Sequence, residues 1–249
     1  MGRTGTGLLS HMERCLRDGW STSQRVLGVG RPPRIENDYA SHLPVLLGLS
    51  RIFHIRSILE FGCGHFSTFA FLDRSAFPAL TRLCSVESDA SWLARIEGVV
   101  GSDARLQIKL VAEPMEATLA DFSPSDYDLV FVDHSTDPGR RAATIRALAS
   151  WCTESSLVVV HDFEVELYRK AARAFPQRFE FRALNPSTGL AWKGASADRE
   201  CLACLDRAIR CDSKRLKPDD RDGWTKVFDS MPDLVRKGTT PAILVNQNI

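Results

Sequence analysis

Short apolar runs alternate with amphipathic segments along most of the chain, and this alternation predicts a Rossmann-like α/β fold. From residue 55 onward, runs of strand length recur between segments with helical periodicity. The predicted strands cover 57–61, 81–87, 105–111, 127–133, 156–162, 178–184 and 189–193. The predicted helices lie around 66–76, 90–100, 114–120, 138–152 and 164–175. This order predicts a seven-stranded, mostly parallel sheet with helices on both faces.

Helical segments flank the alternating region on both sides. Residues 5–20 and 36–53 have the pattern of helices, with Pro44 as a candidate kink in the second. Beyond Gly194 the chain becomes polar and helical, and a last helix starts near Trp224. We therefore predict an N-terminal helical cap (1–54), a core (55–194) and a C-terminal helical extension (195–249).

The turn after the first predicted strand is the most informative feature of the sequence. The strand breaks at Gly62-Cys63-Gly64, and a helix-like segment begins near Ser67. Glycines allow positive φ angles and a close approach of a ligand to the backbone. The start of the helix adds N–H groups that have no partner within the helix. The turn is therefore predicted to hold a ligand against main-chain atoms.

Two acidic residues narrow the class of ligand. Glu60, just before the turn, would repel a pyrophosphate and attract an ammonium or sulfonium group. The third glycine of a dinucleotide-binding turn is also missing, because Ser67 takes its place. Glu87 ends the second predicted strand, where a carboxylate accepts hydrogen bonds from ribose hydroxyls in folds of this kind. Ser88 and Asp89 follow as a candidate helix N-cap.

The pattern Glu-x-Gly-x-Gly-x-x-Ser resembles motif I of the class I S-adenosylmethionine-dependent methyltransferases. The resemblance implies S-adenosylmethionine as the cofactor and a reversed hairpin for the last two strands. It places residues from the turn at the methionine end of the cofactor: Glu60, Gly62, Cys63, Gly64 and Ser67. It also places Glu87 at the ribose and Glu113 at the adenine, with Ser88 and Asp133 as further cofactor-binding residues.

The fourth and fifth predicted strands each deliver a histidine and an aspartate to one edge of the sheet. The fourth ends in Asp133-His134 and the fifth in His161-Asp162. Neighbouring strand ends lie about 5 Å apart, so these four side chains should converge on one pocket. We predict His134 as the general base because an imidazole titrates near neutrality. Asp133 and Asp162 would orient it or share a metal, while His161 is either a core histidine or a substrate contact.

These strand ends resemble two groups of O-methyltransferases. In the catechol type, aspartates at the positions of Asp133 and Asp162 bind a divalent metal, but Phe163 stands where the third ligand, an asparagine, is expected. A divalent metal is therefore compatible with the sequence but not favoured. The glucuronoxylan O-methyltransferases place Gly-Arg after the fourth strand and His-Asp after the fifth. This second resemblance implies that Arg140 or its neighbour Arg141 holds a substrate carboxylate, with Arg140 as our choice.

Composition limits the partners and the compartment. The chain has 249 residues and a net charge of +1, from 32 Lys+Arg against 31 Asp+Glu, which argues against a broad nucleic-acid footprint. No segment has the length and apolarity of a membrane span, and the first apolar segment is too short for a signal peptide. Seven scattered cysteines are typical of free thiols in a cytoplasmic protein. Zinc at Cys201-x-x-Cys204 is not favoured, because no second ligand pair follows at a usual distance.

The sequence therefore predicts a methyltransferase that acts on a small molecule, at a hydroxyl of a sugar-like or other acceptor. A homodimer is compatible with it. An amine, carboxylate, protein or RNA acceptor remains open on the same fold. A nicotinamide-dependent oxidoreductase and a non-catalytic cofactor-binding protein are the alternatives from other classes; Glu60 counts against the first and the convergent His and Asp residues against the second.

Overall fold

A single mixed sheet forms the centre of the molecule. The computed structural model describes residues 37–195 and 197–231. Its seven strands run in the order β3-β2-β1-β4-β5-β7-β6, with β7 antiparallel to both neighbours and the other contacts parallel. The strands are β1 (Ser57–Phe61), β2 (Arg82–Glu87), β3 (Leu106–Leu110), β4 (Leu129–Val132), β5 (Leu157–Val160), β6 (Gln177–Phe181) and β7 (Thr188–Trp192). The predicted fold, including the reversed hairpin, is confirmed.

Seven α-helices accompany the sheet in the described part of the chain. They are α1 (Leu43–Ile52), α2 (Ser67–Leu72), α3 (Ala90–Val100), α4 (Pro138–Trp151), α5 (Glu166–Ala172), α6 (Arg199–Asp212) and α7 (Arg221–Asp229). Three 3₁₀ turns add to them: Asn37–Ala40, Met115–Asp121 and Pro124–Asp126. None of these described helices is long and apolar enough to cross a membrane. The predicted helix 5–20 lies outside the described residues.

The second predicted helix differs from its expected form. The segment 36–53 divides into the turn Asn37–Ala40 and the helix α1, so Pro44 lies in the first helical turn and causes no kink. Proline fits there because its missing N–H has no intrahelical acceptor at that position. The division places residues 41 and 42 on a bend that faces the ends of β4 and β5.

Two apolar layers cover the faces of the sheet. Helices α4 and α5 pack on one face, around Val130 and Ile145. Helices α1, α6 and α7 share the other, with Trp192 and Trp224 among the fully buried side chains. A β-carbon on Gly48 of α1 would lie only 2.3 Å from a methyl carbon of Leu205 on α6. The helix pair is therefore in close contact, and residues of the predicted cap and extension belong to one core layer.

One glycine joins the two halves of the candidate site. Gly62 follows β1 with a φ of +88°. A β-carbon there would lie 2.6 Å from the carbonyl oxygen of Asp133 and 2.7 Å from the α-carbon of His134. The turn after β1 is thus pressed against the end of β4, and no side chain fits between them. In a sheet whose order reverses beside β1, this edge is where ligands bind.

Candidate active site

The carboxylate of Glu60, at the end of β1 before the glycine turn, is hydrogen-bonded by three hydroxyl groups. The carboxylate is fully buried and accepts hydrogen bonds from Ser67 (2.6 Å), Thr68 (2.8 Å) and Ser85 (2.5 Å). Burial raises the pKa of Glu60 to about 7, although the hydroxyl donors oppose this change. The backbone N–H of Gly64 donates to Thr68, which ties the turn to the same network. Ser67, predicted to lie at the cofactor, therefore turns its hydroxyl to Glu60.

Glu87 keeps one carboxylate oxygen largely free at the end of β2. Its Oε1 accepts the backbone N–H groups of Ser88 (2.7 Å) and Asp89 (2.9 Å). Its Oε2 has a single weak donor, the thiol of Cys63 at 3.9 Å. Burial raises the pKa of Glu87 above its ordinary value. The Oε2 atom is thus available to a hydroxyl donor, and Asp89 caps α3 as predicted.

A polar and aromatic wall borders the same turn. The Ser88 hydroxyl donates to Glu113 at 3.0 Å, while the other carboxylate oxygen of Glu113 is buried with no hydrogen-bond partner among the described residues. The indole N–H of Trp92 donates to the Cys63 carbonyl at 2.7 Å, and the ring of His65 packs edge-on against it. Trp92 and His65 were not anticipated from the sequence. Trp92 and His65 thus pack against the glycine turn near Glu87.

A second group of side chains lies beyond the ends of β4 and β5. We call it the acceptor cluster: Ser41, His42, Asp133, Arg141, His161 and Asp162. Asp133 is at its centre, with Oδ2 3.2 Å from Nδ1 of His161 and Oδ1 3.2 Å from Nη2 of Arg141. Burial opposes ionisation of Asp133, but the charges of His161 and Arg141 outweigh it and lower its pKa to about 2. For His161, burial is likewise outweighed by Asp133, so its pKa is raised.

Ser41 and His42 enter this cluster from the bend before α1. The Ser41 hydroxyl lies 2.9 Å from Nε2 of His161, so both ring nitrogens of that histidine have partners. The His42 ring lies 4.6 Å from the His161 ring, centroid to centroid, and packs on Phe131. Both nitrogens of His42 are buried without a hydrogen-bond partner in the described part of the chain. Burial is the main reason that its pKa falls to about 3.

His134 does not face the acceptor cluster, so the predicted convergence of the four strand-end side chains is wrong for this residue. Its ring is buried beside Phe61, and Nε2 lies 2.8 Å from the Thr144 hydroxyl on α4. Burial lowers the pKa of His134 to about 4. The reason is geometric: successive side chains along an extended segment point to opposite faces, so His134 turns away where Asp133 turns in. His134 is therefore poorly placed for the base role, and its lowered pKa makes it a weak proton acceptor.

Arg140 was the arginine chosen from the sequence as the substrate contact. The structure instead places its neighbour Arg141 in the acceptor cluster. Arg140 is half exposed at the start of α4 and lies 3.5 Å from Glu113. Arg141 is buried and donates to Asp162 at 2.9 Å and to the His134 carbonyl at 2.7 Å. Consecutive helical residues are rotated by about 100°, so only one of two adjacent arginines can face the sheet edge.

Asp162 has a backbone conformation that is uncommon for its residue type. Its φ is +55°, in the left-handed region. This turn directs its carboxylate to Arg141 and sends Phe163 back into the core, where its ring covers Gly189. Phe163 is buried, so the position that would supply the third ligand of a catechol-type metal site is part of the apolar core.

Comparison with known proteins gives the family of the segment that contains most of these residues. Residues 59–163 match a family model described as a methyltransferase domain. This segment is a class I methyltransferase domain. It begins in β1 and ends just after β5, so it contains the glycine turn, Glu87 and the strand ends at Asp133 and Asp162. The family expected from motif I is confirmed. No curated protein has a sequence that matches this chain.

Three solved structures have a similar fold at low sequence identity. Human methyltransferase-like protein 13, in complex with SAH, has 15% identity and a TM-score of 0.51 over 72% of this chain and 93% of its own. The O-methyltransferase from Bacillus cereus, in complex with SAH, has 12% identity and a TM-score of 0.52, covering 74% and 91%. The SAH-bound methyltransferase PaMTH1 from Podospora anserina has 14% identity and a TM-score of 0.53, covering 78% and 90%. These likenesses concern the fold.

Proposed function

We propose that the protein transfers the methyl group of S-adenosylmethionine to a hydroxyl group of a small molecule. The match of residues 59–163 to a methyltransferase domain carries this proposal. The polar residues beside the glycine turn would bind the cofactor, and the acceptor cluster would bind the substrate. The cofactor binds at the ends of β1 to β3, and the acceptor lies over the ends of β4 and β5.

The residues beside the glycine turn suit the cofactor. Glu87 Oε2 is available to the ribose hydroxyls, and a carboxylate is a strong acceptor for them. Glu113 Oε2 is a buried acceptor without a partner among the described residues, and it borders the space proposed for the adenine. His134 lies on this side, where the charge of Glu113 acts on it. When bound, S-adenosylmethionine supplies an already activated methyl group, so the protein mainly has to orient the two reactants.

The acceptor cluster suits a hydroxyl. Asp133 is ionised at neutral pH, because its pKa is about 2, and its side chain retains 23% of its exposure. It can accept a hydrogen bond from the acceptor hydroxyl and fix that oxygen in line with the methyl group. Arg141, itself paired with Asp162, holds one oxygen of Asp133 in place, and His161 lies against the other oxygen. In this proposal Asp133 and Asp162 remain site residues, but Asp133 contacts the acceptor instead of orienting His134, and His161 replaces His134 beside the reacting group.

Calorimetry with the demethylated cofactor product, SAH, tests the proposal directly. We expect SAH to bind and to raise the melting temperature, because a ligand that binds only the native state stabilises it. NAD serves as the matched negative control. Radiolabelled methyl transfer to a panel of hydroxyl, amine and carboxylate compounds then identifies the acceptor class. Stabilisation by NAD, with no effect of SAH, would reject the proposal.

The remaining expectations belong to the same proposal. A small-molecule acceptor fits a cluster that is buried and compact. Two expectations rest on composition alone and stay predictions: the absence of a nucleic-acid partner and the cytoplasmic location. The homodimer also stays a prediction. Amine, carboxylate, protein and RNA acceptors remain alternatives that the labelled panel can separate.

A further inference from the structure

Three side chains of the acceptor cluster have the geometry of a metal site. His42, Asp133 and His161 each offer one ligand atom, and these three atoms lie within 4.8 Å of one another. We propose that they bind a divalent transition-metal ion of the zinc type. The donors are two imidazoles and one carboxylate, which leaves the fourth position of a tetrahedral ion for a ligand from solvent or substrate. This is a set that catalytic zinc sites use.

The spacing between Asp133 and His161 fits shared coordination. Nδ1 of His161 lies 3.2 Å from Oδ2 of Asp133. Two ligand atoms bonded to one ion at about 2.0–2.1 Å are separated by about 2.8–3.4 Å at octahedral to tetrahedral angles. Oδ1 of Asp133 points to Arg141, which leaves Oδ2 as the donor. The pair is therefore spaced for an ion without rearrangement.

His42 supplies the independent observation that points to a ligand. Both of its ring nitrogens are buried, with no hydrogen-bond partner among the described residues. An unsatisfied buried polar group costs about 1–3 kcal/mol, so such a ring is unexpected unless a ligand uses it. Its ring already packs edge-on against the ring of His161. A nitrogen of His42 can approach the ion without breaking a hydrogen bond.

Ser41 is placed to hydrogen-bond His161, a proposed metal ligand, without contacting the metal itself. Its hydroxyl lies 2.9 Å from Nε2 of His161, the ring nitrogen opposite the proposed ligand atom. A histidine bound to a metal usually donates its second ring N–H to an oxygen acceptor, which fixes the tautomer and the ring orientation. With the proton on Nε2, the lone pair of Nδ1 faces Asp133. Ser41 thus prepares His161 to act as a ligand.

The charge of the acceptor cluster and the type of its donor atoms determine which metal ion it favours. When His161 is neutral, as a metal ligand must be, the carboxylates of Asp133 and Asp162 face one guanidinium, that of Arg141, and the resulting net negative charge favours a cation. Imidazole donors favour zinc, cobalt and nickel ions over magnesium, which prefers oxygen. The set differs from the catechol type, because Asp162 is engaged by Arg141 and Phe163 lies in the core.

The use of this ion in catalysis rests on the proposed methyl transfer. An acceptor hydroxyl at the open position would have a lowered pKa, as water does on zinc. Its proton passes to solvent. The oxygen forms a bond to the methyl carbon, and the carbon–sulfur bond breaks with its electron pair retained by sulfur. The charge on sulfonium and that on oxygen are both neutralised, so the step needs no oxidant or reductant.

Cobalt titration of the full-length protein tests the site. Co²⁺ is the probe, added to protein dialysed against chelator, with visible absorption as the readout and Zn²⁺ as competitor. We expect one ion per chain with nitrogen and oxygen ligation. His42→Phe keeps an aromatic ring but removes both nitrogens, and should weaken binding more than about 100-fold, beyond the usual effect of losing an outer partner. His54→Ala, at an exposed position after α1, is the matched control and should bind normally.

The outcomes separate this site from its alternatives. A thiolate-to-cobalt charge-transfer band, or unchanged binding in His42→Phe, would overturn the proposal. If His42→Phe does not fold, as judged by circular dichroism, Asp133→Asn replaces it with nearly the same shape and the same expected loss. SAH calorimetry on the same samples keeps the two proposals apart. Binding of SAH without cobalt rejects only the metal, and binding of cobalt without SAH rejects only the methyl transfer.

Discussion

Arg141 donates a hydrogen bond to Asp162 at 2.9 Å, and this contact joins the first turn of α4 to the end of β5. Asp162 is in the left-handed region, which costs about 1–3 kcal/mol for a residue other than glycine unless its surroundings stabilise it. The guanidinium also lies 3.2 Å from Asp133. One buried arginine therefore holds both aspartates of the acceptor cluster in position.

Replacing this arginine should be far more costly than replacing its neighbour. Arg141→Ala leaves two partly buried carboxylates without their cation, so we expect a loss of at least about 2 kcal/mol in the free energy of unfolding. Arg140→Ala, at a half-exposed position, should change it by less than about 0.5 kcal/mol. Urea denaturation of both variants measures the difference. Equal effects would contradict the buried placement of Arg141.

Glu87 should matter for cofactor binding more than for folding. Glu87→Gln keeps an oxygen that can accept the N–H groups of Ser88 and Asp89 but removes the charge proposed to bind the ribose. We expect SAH affinity to fall by about 1–3 kcal/mol, the size of a hydrogen bond to a charged group. Calorimetry measures it, with Glu97→Gln on the exposed side of α3 as the control. Unchanged affinity would remove Glu87 from the ribose site.

Glu60 should make the stability of the cofactor-free protein fall as pH rises. Burial raises its pKa from 4.5 to about 7, so the native state binds more protons than the unfolded state between these values. Stability is then highest below pH 4.5 for this group and decreases up to about pH 7. Glu60→Gln should flatten that decrease, since an amide does not titrate. Urea unfolding at pH 5 and pH 7.5 gives the comparison, and a parallel decrease in both proteins would refute the assignment.

The two strand-end histidines should affect different kinetic constants. His161→Gln removes the partner of Asp133, so we expect kcat to fall by about 10²–10⁴, the range of an acid–base contribution. His134→Gln should act mainly on the KM of S-adenosylmethionine, because the His134 ring is hydrogen-bonded to Thr144 and lies on the side proposed for the cofactor. Steady-state kinetics with varied cofactor separates them. The reverse pattern would restore His134 as the base.

The sequence predicts the sheet well because apolar runs and glycines act locally. It also locates Glu60, Glu87 and Asp133 at strand ends, since the carboxyl ends of parallel strands meet at one edge. The errors concern the direction of side chains. Alternation along the strand would have placed Asp133 and His134 on opposite sides, and helical rotation would have separated Arg140 from Arg141. Both rules were available from spacing alone.

Other parts of the site could not be found from the sequence. His42 and His161 are separated by most of the domain, and no fixed spacing links them. Their proximity depends on how the bend before α1 packs against the sheet, which is a tertiary contact. Ser41 and Trp92 have the same character, because each reaches the site through a hydrogen bond to a distant segment. Such contacts follow from packing rather than from local preference.

The close contact between Gly48 and Leu205 has a consequence for how this protein could change its substrate. Leu205 belongs to the segment after the sheet, and Gly48 lies on the helix that directly follows His42. Ser41 and His42 thus reach the acceptor cluster from a segment outside the methyltransferase domain, and the segment after the sheet packs against the helix that follows them. Exchanging these flanks would replace two side chains of the cluster and leave the cofactor half unchanged. A domain transplanted alone would keep its aspartates and lose His42.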